Sequence, residues 1–182
     1  MIHEPVVILA RGDFPSHPIP FGILKNARFI ICCDGAASHL IENGMEPSYI
    51  LGDLDSIDDN LKYLYKDQLI EIQNQNENDL RKAIKWIENK GVKTASILGA
   101  VGKRDDHTLA NIFSVLQCQT TLKLTTYTNH GIFSVVQDKH KFDSFNGEQV
   151  SIFSTDSEIE ITSDNLKYNL NHIKLNTLYK GS

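Results

Sequence analysis

The chain has 182 residues, 41% of them hydrophobic and 23% charged, which suits one soluble globular domain or one domain with a small companion. Its net charge of −5 argues against nucleic acid as the main partner, because a phosphate backbone demands basic surface; small phosphate ligands remain open, since a metal ion can supply positive charge locally. No apolar run is long enough to span a bilayer, MIHEPVVILA lacks the basic start and cleavage site of a secretory signal, and Cys32, Cys33 and Cys118 are odd in number without metal-ligand spacing. These features predict a cytoplasmic protein with reduced thiols and no membrane partner.

Six apolar runs read as strands: PVVILA (5–10), RFIICC (28–33), SYILG (48–52), LIEIQ (69–73), TASILGA (94–100) and TLKLTTY (121–127). Several are nearly continuous in aliphatic or β-branched residues, the pattern of strands buried on both faces of a parallel sheet. Helical patterns lie between them. Residues 79–90, DLRKAIKWIENK, place Leu80, Ala83, Ile84 and Ile87 on one face, and Gly91 follows as a stop. Residues 106–117 place Leu109, Ile112, Phe113 and Leu116 likewise. Alternation of strand and helix predicts an α/β layer fold, a three-layer parallel-sheet domain over residues 1–127.

The pattern changes beyond Tyr127. Turn signals crowd together at NHG (129–131), DKH (138–140), FNG (145–147) and TSDN (162–165), and no helical period persists. Asn146-Gly147 is a strong hairpin signal. Residues 128–182 are therefore expected to form a small all-β domain, a sandwich packed beside the first.

Ligands of parallel α/β sheets bind beyond the carboxyl ends of the strands. The polar residues falling there are Arg11, Gly12 and Asp13; Asp34 and Gly35; Asp53 and Asp55; Asp79; and Gly102, Lys103, Arg104, Asp105, Asp106 and His107. Each has an ordinary explanation. Asp34, Asp55, Asp79 and Asp106 suit helix N-caps, Lys103 and Arg104 suit solvated surface, and His107 suits a packed histidine. The conjunction is harder to explain so. Four or more carboxylates at one sheet edge raise each other's pKa and destabilise the fold unless a cation sits among them. Oxygen-only ligands without Cys or His point to Mg2+ rather than zinc. Magnesium on carboxylates beside Lys and Arg, with glycines that let backbone amides approach phosphate, implies a metal-dependent enzyme of phosphoryl transfer.

ILARGDFP (8–15), CDGA (33–36), P-x-x-ILGDLDS (47–56), ENDLRKA (77–83), ILGAVGKRDDHTLANI (97–112) and NLKYNL (165–170) occur in the order and rough spacing of a known family. On them the sequence resembles the thiamine pyrophosphokinases (thiamine diphosphokinases) over almost its whole length. The resemblance implies an α/β domain followed by a β-sandwich, in a homodimer with its sites at the subunit interface. It also implies the reaction: thiamine's hydroxyl attacks the β-phosphorus of ATP, giving thiamine diphosphate and AMP. Carried over by position, Asp34, Asp53, Asp55 and Asp106 would hold Mg2+, with Asp79 close by. Asp55 or Asp79 would orient the hydroxyl, and Arg104 and Lys103 would neutralise the triphosphate. Gly12 and Gly35 belong to the matching nucleotide loops. Tyr168 stands where the family's GLKW segment carries the Trp that stacks on thiamine, and Ser163 would contact thiamine through its hydroxyl.

Three departures stand out. Gln75-Asn76 occupies the place of a frequent Lys-Asp, passing any contact there to amide side chains. Asn165 replaces the Gly of GLKW, where a left-handed turn is expected that Asn tolerates. The sequence stops at Lys180-Gly181-Ser182, where family members continue with Asn. Two other functions compete. YILGDLDS imitates the D-x-D-x-[TS] motif of haloacid dehalogenase-type phosphatases, with Asp53 as nucleophile, although two βα units precede it and Gly52 interrupts it. A non-catalytic nucleotide-binding module with a degenerate site is the other.

Overall fold

The computed structural model describes residues 2–175. The chain divides into two compact units, Met1–Val136 and Gln137–Ser182. In the first, strands β1 (Val6–Leu9), β2 (Phe29–Cys33), β3 (Tyr49–Gly52), β4 (Leu69–Glu71), β5 (Thr94–Leu98), β6 (Lys123–Tyr127) and β7 (Ile132–Ser134) form one sheet in the order β4-β3-β2-β1-β5-β6-β7. All six predicted runs become strands, and all six pair in parallel. The seventh is antiparallel. The Asn129–Gly131 turn folds it back on β6, with Tyr127 opposite Ile132.

Five helices connect the strands: α1 (Pro18–Lys25), α2 (Ala36–Glu42), α3 (Asp59–Leu64), α4 (Asp79–Asn89) and α5 (Asp105–Leu116). Alternate strand residues point to opposite faces, so each strand feeds two cores. On one face Ile8, Ile31, Leu51 and Ile97 pack with Leu80, Ala83, Ile84 and Ile87 of α4 and Val115 of α5. On the other, Val7, Leu9, Cys32, Ile50 and Leu98 pack with Leu24 of α1 and Ala36, Ala37 and Leu40 of α2. This is the expected three-layer arrangement. The apolar stripe of α4 starts behind Asn78, whose side chain accepts the Arg81 amide, and ends where Gly91 takes a left-handed φ of 82°.

Chain order reverses across β1, so the β1 and β5 loops leave the sheet side by side at a topological switch point. They stay zipped beyond the strands: the amides of Ala10, Gly12 and Asp13 donate to the carbonyls of Leu98, Gly99 and Val101 at 2.8, 2.7 and 2.7 Å.

In the second unit, β8 (Glu160–Ile161) and β9 (Ile173–Lys174) form a two-stranded antiparallel sheet. Asn146-Gly147 does make a turn, with the Glu148 amide on the Phe145 carbonyl at 3.2 Å and Gly147 at φ 91°. Among the described residues no strands pair around it, and the ladder described there is β8 with β9. The side chains of Phe142, Phe145, Val150 and Phe153 are exposed. Residues 176–182, including Lys180-Gly181-Ser182, lie outside the described residues. Among those described, no helix is long and apolar enough to cross a membrane.

Ile8 is fully buried at the centre of the sheet. Ile8→Ala is expected to lower the unfolding free energy by about 2–5 kcal/mol, read from urea denaturation of the purified protein.

Candidate active site at the sheet edge

Gly52, the last residue of β3, sets how closely the acids approach. A Cβ there would lie 2.9 Å from Asp34 Cβ and 3.2 Å from the Asp79 carboxyl carbon. Only a residue without a side chain lets the ends of β2 and α4 bring these two carboxylates together. Asp34 adopts φ 41°, a conformation Asp tolerates, and its amide donates to the Leu51 carbonyl at 2.9 Å.

The next turn presents the other two acids. Leu54 has φ 63° and is buried, with Ile57, in the α2-side core. A branched aliphatic residue in this region stores about 1–3 kcal/mol of strain, offset here by burial of its side chain. With Leu54 directed inward, Asp53 and Asp55 are left at the surface side of the turn. Asp34, Asp53 and Asp55 each place a carboxylate oxygen within 4.8 Å of the others.

Their environments differ. Asp34 is buried; its Oδ2 accepts the Ser56 amide at 3.2 Å, while Oδ1 is buried with no hydrogen-bond partner. Burial pushes its pKa up, with the Asp79 and Asp55 charges adding, against the opposing bonds from Ser56. For Asp53, burial acts upward, but the Asp55 amide at 3.4 Å and the Gln75 side chain at 3.3 Å favour the charged form and leave the pKa below its ordinary value. Gln75, at the departure from the family pattern, therefore does put an amide on an acid of the cluster. Asp79 is tied to Lys82 Nζ at 2.9 Å.

None of the four acids that suit helix caps is one. The capping side chains are His17 for α1, Asp58 for α3 and Asn78 for α4, while α2 and α5 start without a side-chain cap. Three carboxylates, one with an orphaned buried oxygen, form an oxygen-only donor set of the kind a hard divalent cation takes.

Basic groups gather on the neighbouring loops. The Arg11 guanidinium lies over Gly35, where a Cβ would meet its Cζ at 2.8 Å. Lys103, at φ 63°, sets its ammonium 2.9 Å from His39 Nε2. Burial and then the charges of Lys103 and Arg11 push the His39 pKa down, so His39 is a neutral partner at physiological pH. Arg11 was among the polar residues the sequence places at this edge; His39 was not. The signal for Arg11 was its place directly after β1; a histidine inside α2 carries none.

Three expected site residues make other contacts. Arg104 and Asp106 pair with each other, Nη2 to Oδ2 at 2.5 Å and Nε to Oδ1 at 3.1 Å, both exposed. That bidentate bond holds Asp106 down at a pKa of about 2, and Asp106 is not one of the three clustered acids. The Gly12 amide is spent on the Gly99 carbonyl, and a Cβ there would sit 2.2 Å from the Val101 carbonyl oxygen, so Gly12 serves loop closure. In the second unit, Ser163 closes a turn, its hydroxyl accepting the Leu170 amide at 2.8 Å. Asn165 within that turn has the expected left-handed φ, 65°. Tyr168 is 78% exposed, with Lys167 Nζ 5.3 Å from its ring centroid.

Burial raises the Asp34 pKa. The fold favours the protonated form, so the metal-free protein loses stability as pH rises through that titration. Asp34→Asn removes the charge and tolerates the same backbone. It is expected to raise the metal-free melting temperature at neutral pH and to abolish any stabilisation by Mg2+, both read by thermal denaturation.

Residues 22–126 match the model of the thiamin pyrophosphokinase catalytic domain, and residues 131–182 that of the thiamin pyrophosphokinase substrate-binding domain. A curated relative, thiamine pyrophosphokinase 2 of Oryza sativa subsp. japonica, is 25% identical over 82% of this chain and 67% of its own. Among solved structures, a probable thiamine pyrophosphokinase of Staphylococcus saprophyticus superposes with a TM-score of 0.54 at 24% identity, over 68% of this chain and 65% of that one. Yeast thiamin pyrophosphokinase gives 0.55 at 20%, over 69% and 60%. The match thus spans less than two thirds of either solved chain, and these likenesses speak for the fold. The two family models together take in most of the sequence: the chain belongs to the thiamin pyrophosphokinase family.

Proposed function

We propose that the protein is a Mg2+-dependent thiamine diphosphokinase, transferring the pyrophosphoryl group of ATP to thiamine's hydroxyl with release of AMP. The observation that carries this is the convergence of Asp34, Asp53 and Asp55 beside Arg11, His39 and Lys103, in a chain of this family. A divalent ion bound by the three carboxylates would neutralise phosphate charge. Arg11 and Lys103 would hold the triphosphate, supplying donors where the β-phosphoryl charge develops. Asp79 is committed to Lys82, which leaves Asp55 as the acid to orient the hydroxyl and receive its proton. The bridging oxygen between the α- and β-phosphorus leaves with AMP. Arg104 and Asp106, the latter assigned to the metal by resemblance, would act as a pair at the rim of the site.

We assign ATP and the ion to the α/β unit and thiamine to the all-β unit, where Tyr168 offers an exposed aromatic face to the cationic thiazolium, an attraction of about 0.5–2 kcal/mol. A homodimer is supported by the exposed apolar side chains Ile132, Phe133, Val135 and Val136 in the first unit and Phe142, Phe145 and Phe153 in the second. Three free cysteines, two of them buried, suit a reducing cytoplasm. The phosphatase and the non-catalytic module find no support in the family match. In addition, both Asp53 oxygens accept hydrogen bonds, which suits a ligand better than a free nucleophile.

Purified protein with ATP, thiamine and Mg2+ is expected to release AMP only when thiamine is present; thiamine-independent turnover, or none, would sink the proposal. Asp55→Asn should abolish AMP release while moving the melting temperature little, because Asp55 is exposed and packs in no core. Tyr168→Ala should raise the thiamine KM at least tenfold with the ATP KM unchanged; equal effects on both would remove the stacking role.

A further inference from the structure

Two cations converge on one face of α2. Gly35, the residue before the helix, and His39, one turn on, stand four residues apart and share that face. Gly35 admits the Arg11 guanidinium from the loop after β1. His39 meets the Lys103 ammonium from the loop after β5, at 2.9 Å from Nε2 and 3.1 Å from Nδ1. Since β1 lies between β2 and β5 in the sheet, Lys103 reaches across the β1 loop to touch α2. Among the described residues neither Arg11 nor Lys103 enters a salt bridge.

The turn that carries Lys103 is fixed. Lys103 stands at φ 63°, a strained region for a residue with a side chain, between the Gly102 amide on Thr108 Oγ1 at 3.0 Å and the Arg104 amide on the Gly102 carbonyl at 2.8 Å. The long stem beyond it is exposed, and a free lysine scatters its ammonium over many rotamers. Partly buried His39 offers that ammonium an acceptor that carries no charge of its own. An ammonium has three donors, so one bond to an imidazole nitrogen leaves two for an anion.

We propose that His39 is a positioning residue whose imidazole accepts a hydrogen bond from Lys103 and holds the ammonium beside Arg11, set for the triphosphate. This rests on the triphosphate role proposed above for Lys103. A carboxylate at position 39 would pair with Lys103 and compete with phosphate. An aliphatic side chain would leave the ammonium to be ordered at the moment of binding, and affinity would fall by that cost.

The test is ATP binding to the full chain by calorimetry with Mg2+ and without thiamine, above neutral pH, alongside the thiamine KM. Lys103→Met keeps the stem and the backbone strain, and is expected to raise the ATP Kd at least fivefold. His39→Leu removes the acceptor and should raise it at least threefold, with the thiamine KM within twofold of wild type. His39→Gln restores an acceptor and should return the ATP Kd to within twofold of wild type. In the Lys103→Met background, His39→Leu should add less than twofold, because His39 acts through Lys103. A His39→Leu protein that binds ATP as well as wild type, or better, overturns the proposal. So do a His39→Gln protein as weak as His39→Leu and a double variant in which the two losses multiply. If His39→Leu does not fold, His39→Ala is read by the same criteria. An unchanged ATP Kd in Lys103→Met overturns the triphosphate role of Lys103, and this proposal with it; a weakened Lys103→Met beside an unaffected His39→Leu overturns this proposal alone.

Discussion

Like charges brought together at one sheet edge are the constraint around which the first unit is built. Asp34, Asp53, Asp55 and Asp79 meet where β2 and β3 end and α4 starts, and Asp34 is buried with one oxygen unpaired. Such a group is costly in isolation. The fold offsets part of the cost locally: the Ser56 amide on Asp34, the Gln75 amide on Asp53, and Lys82 on Asp79. What remains unsatisfied is the Oδ1 of Asp34 and the mutual repulsion of three acids. A site left in that condition gains on binding a cation what it loses without one, the usual relation between stability and function at a preorganised centre.

The rest of the unit serves to hold that arrangement rigid. The apolar strands bury on both faces, so neither the ends of β2 and β3 nor the start of α4 can shift without disturbing a packed layer. Polar ties add to this at the rim. Asn78, the cap of α4, bonds Asn111 of α5 at 3.2 Å, and Asn111 bonds the Ala100 carbonyl at 2.9 Å, so both helices are fastened to the loop after β5. The Gly102 amide donates to Thr108 Oγ1 at 3.0 Å, fixing the turn that carries Lys103. The basic and acidic loops are thus set by the same two helices and the same sheet edge.

Much of this was legible before any coordinates. The six strands are runs of residues that favour a doubly buried sheet, and α4 and α5 show their period within one residue of the observed limits. Motif order gave the family and most of the acids. Arg11 was legible by its place after β1, whereas His39 and Lys82 were not, because nothing in their neighbours' chemistry marks them; they matter through what three-dimensional packing places beside them. The caps were misleading for a related reason. Asp34, Asp55, Asp79 and Asp106 all stand near helix starts, but a neighbour one or more residues away takes the cap, or none does. In the all-β unit, turn residues such as Asn146-Gly147 and Asn165 were readable, whereas pairing beyond β8 and β9 was not, since strand partners are chosen by long-range burial rather than by local sequence.

The sequence by itself determined the alternation of strands and helices, the acids at strand ends and the left-handed turn at Asn165, because these follow from side-chain period, backbone preference and short spacing. Only the tertiary structure decided which acids share a site. Gly52 admits Asp34 and Asp79 from elements far apart in sequence, Leu54 turns inward so that Asp53 and Asp55 face out, and Asp106 closes on Arg104 instead of joining them. Those outcomes depend on close approach between distant segments, which strand-end position suggests and packing alone fixes.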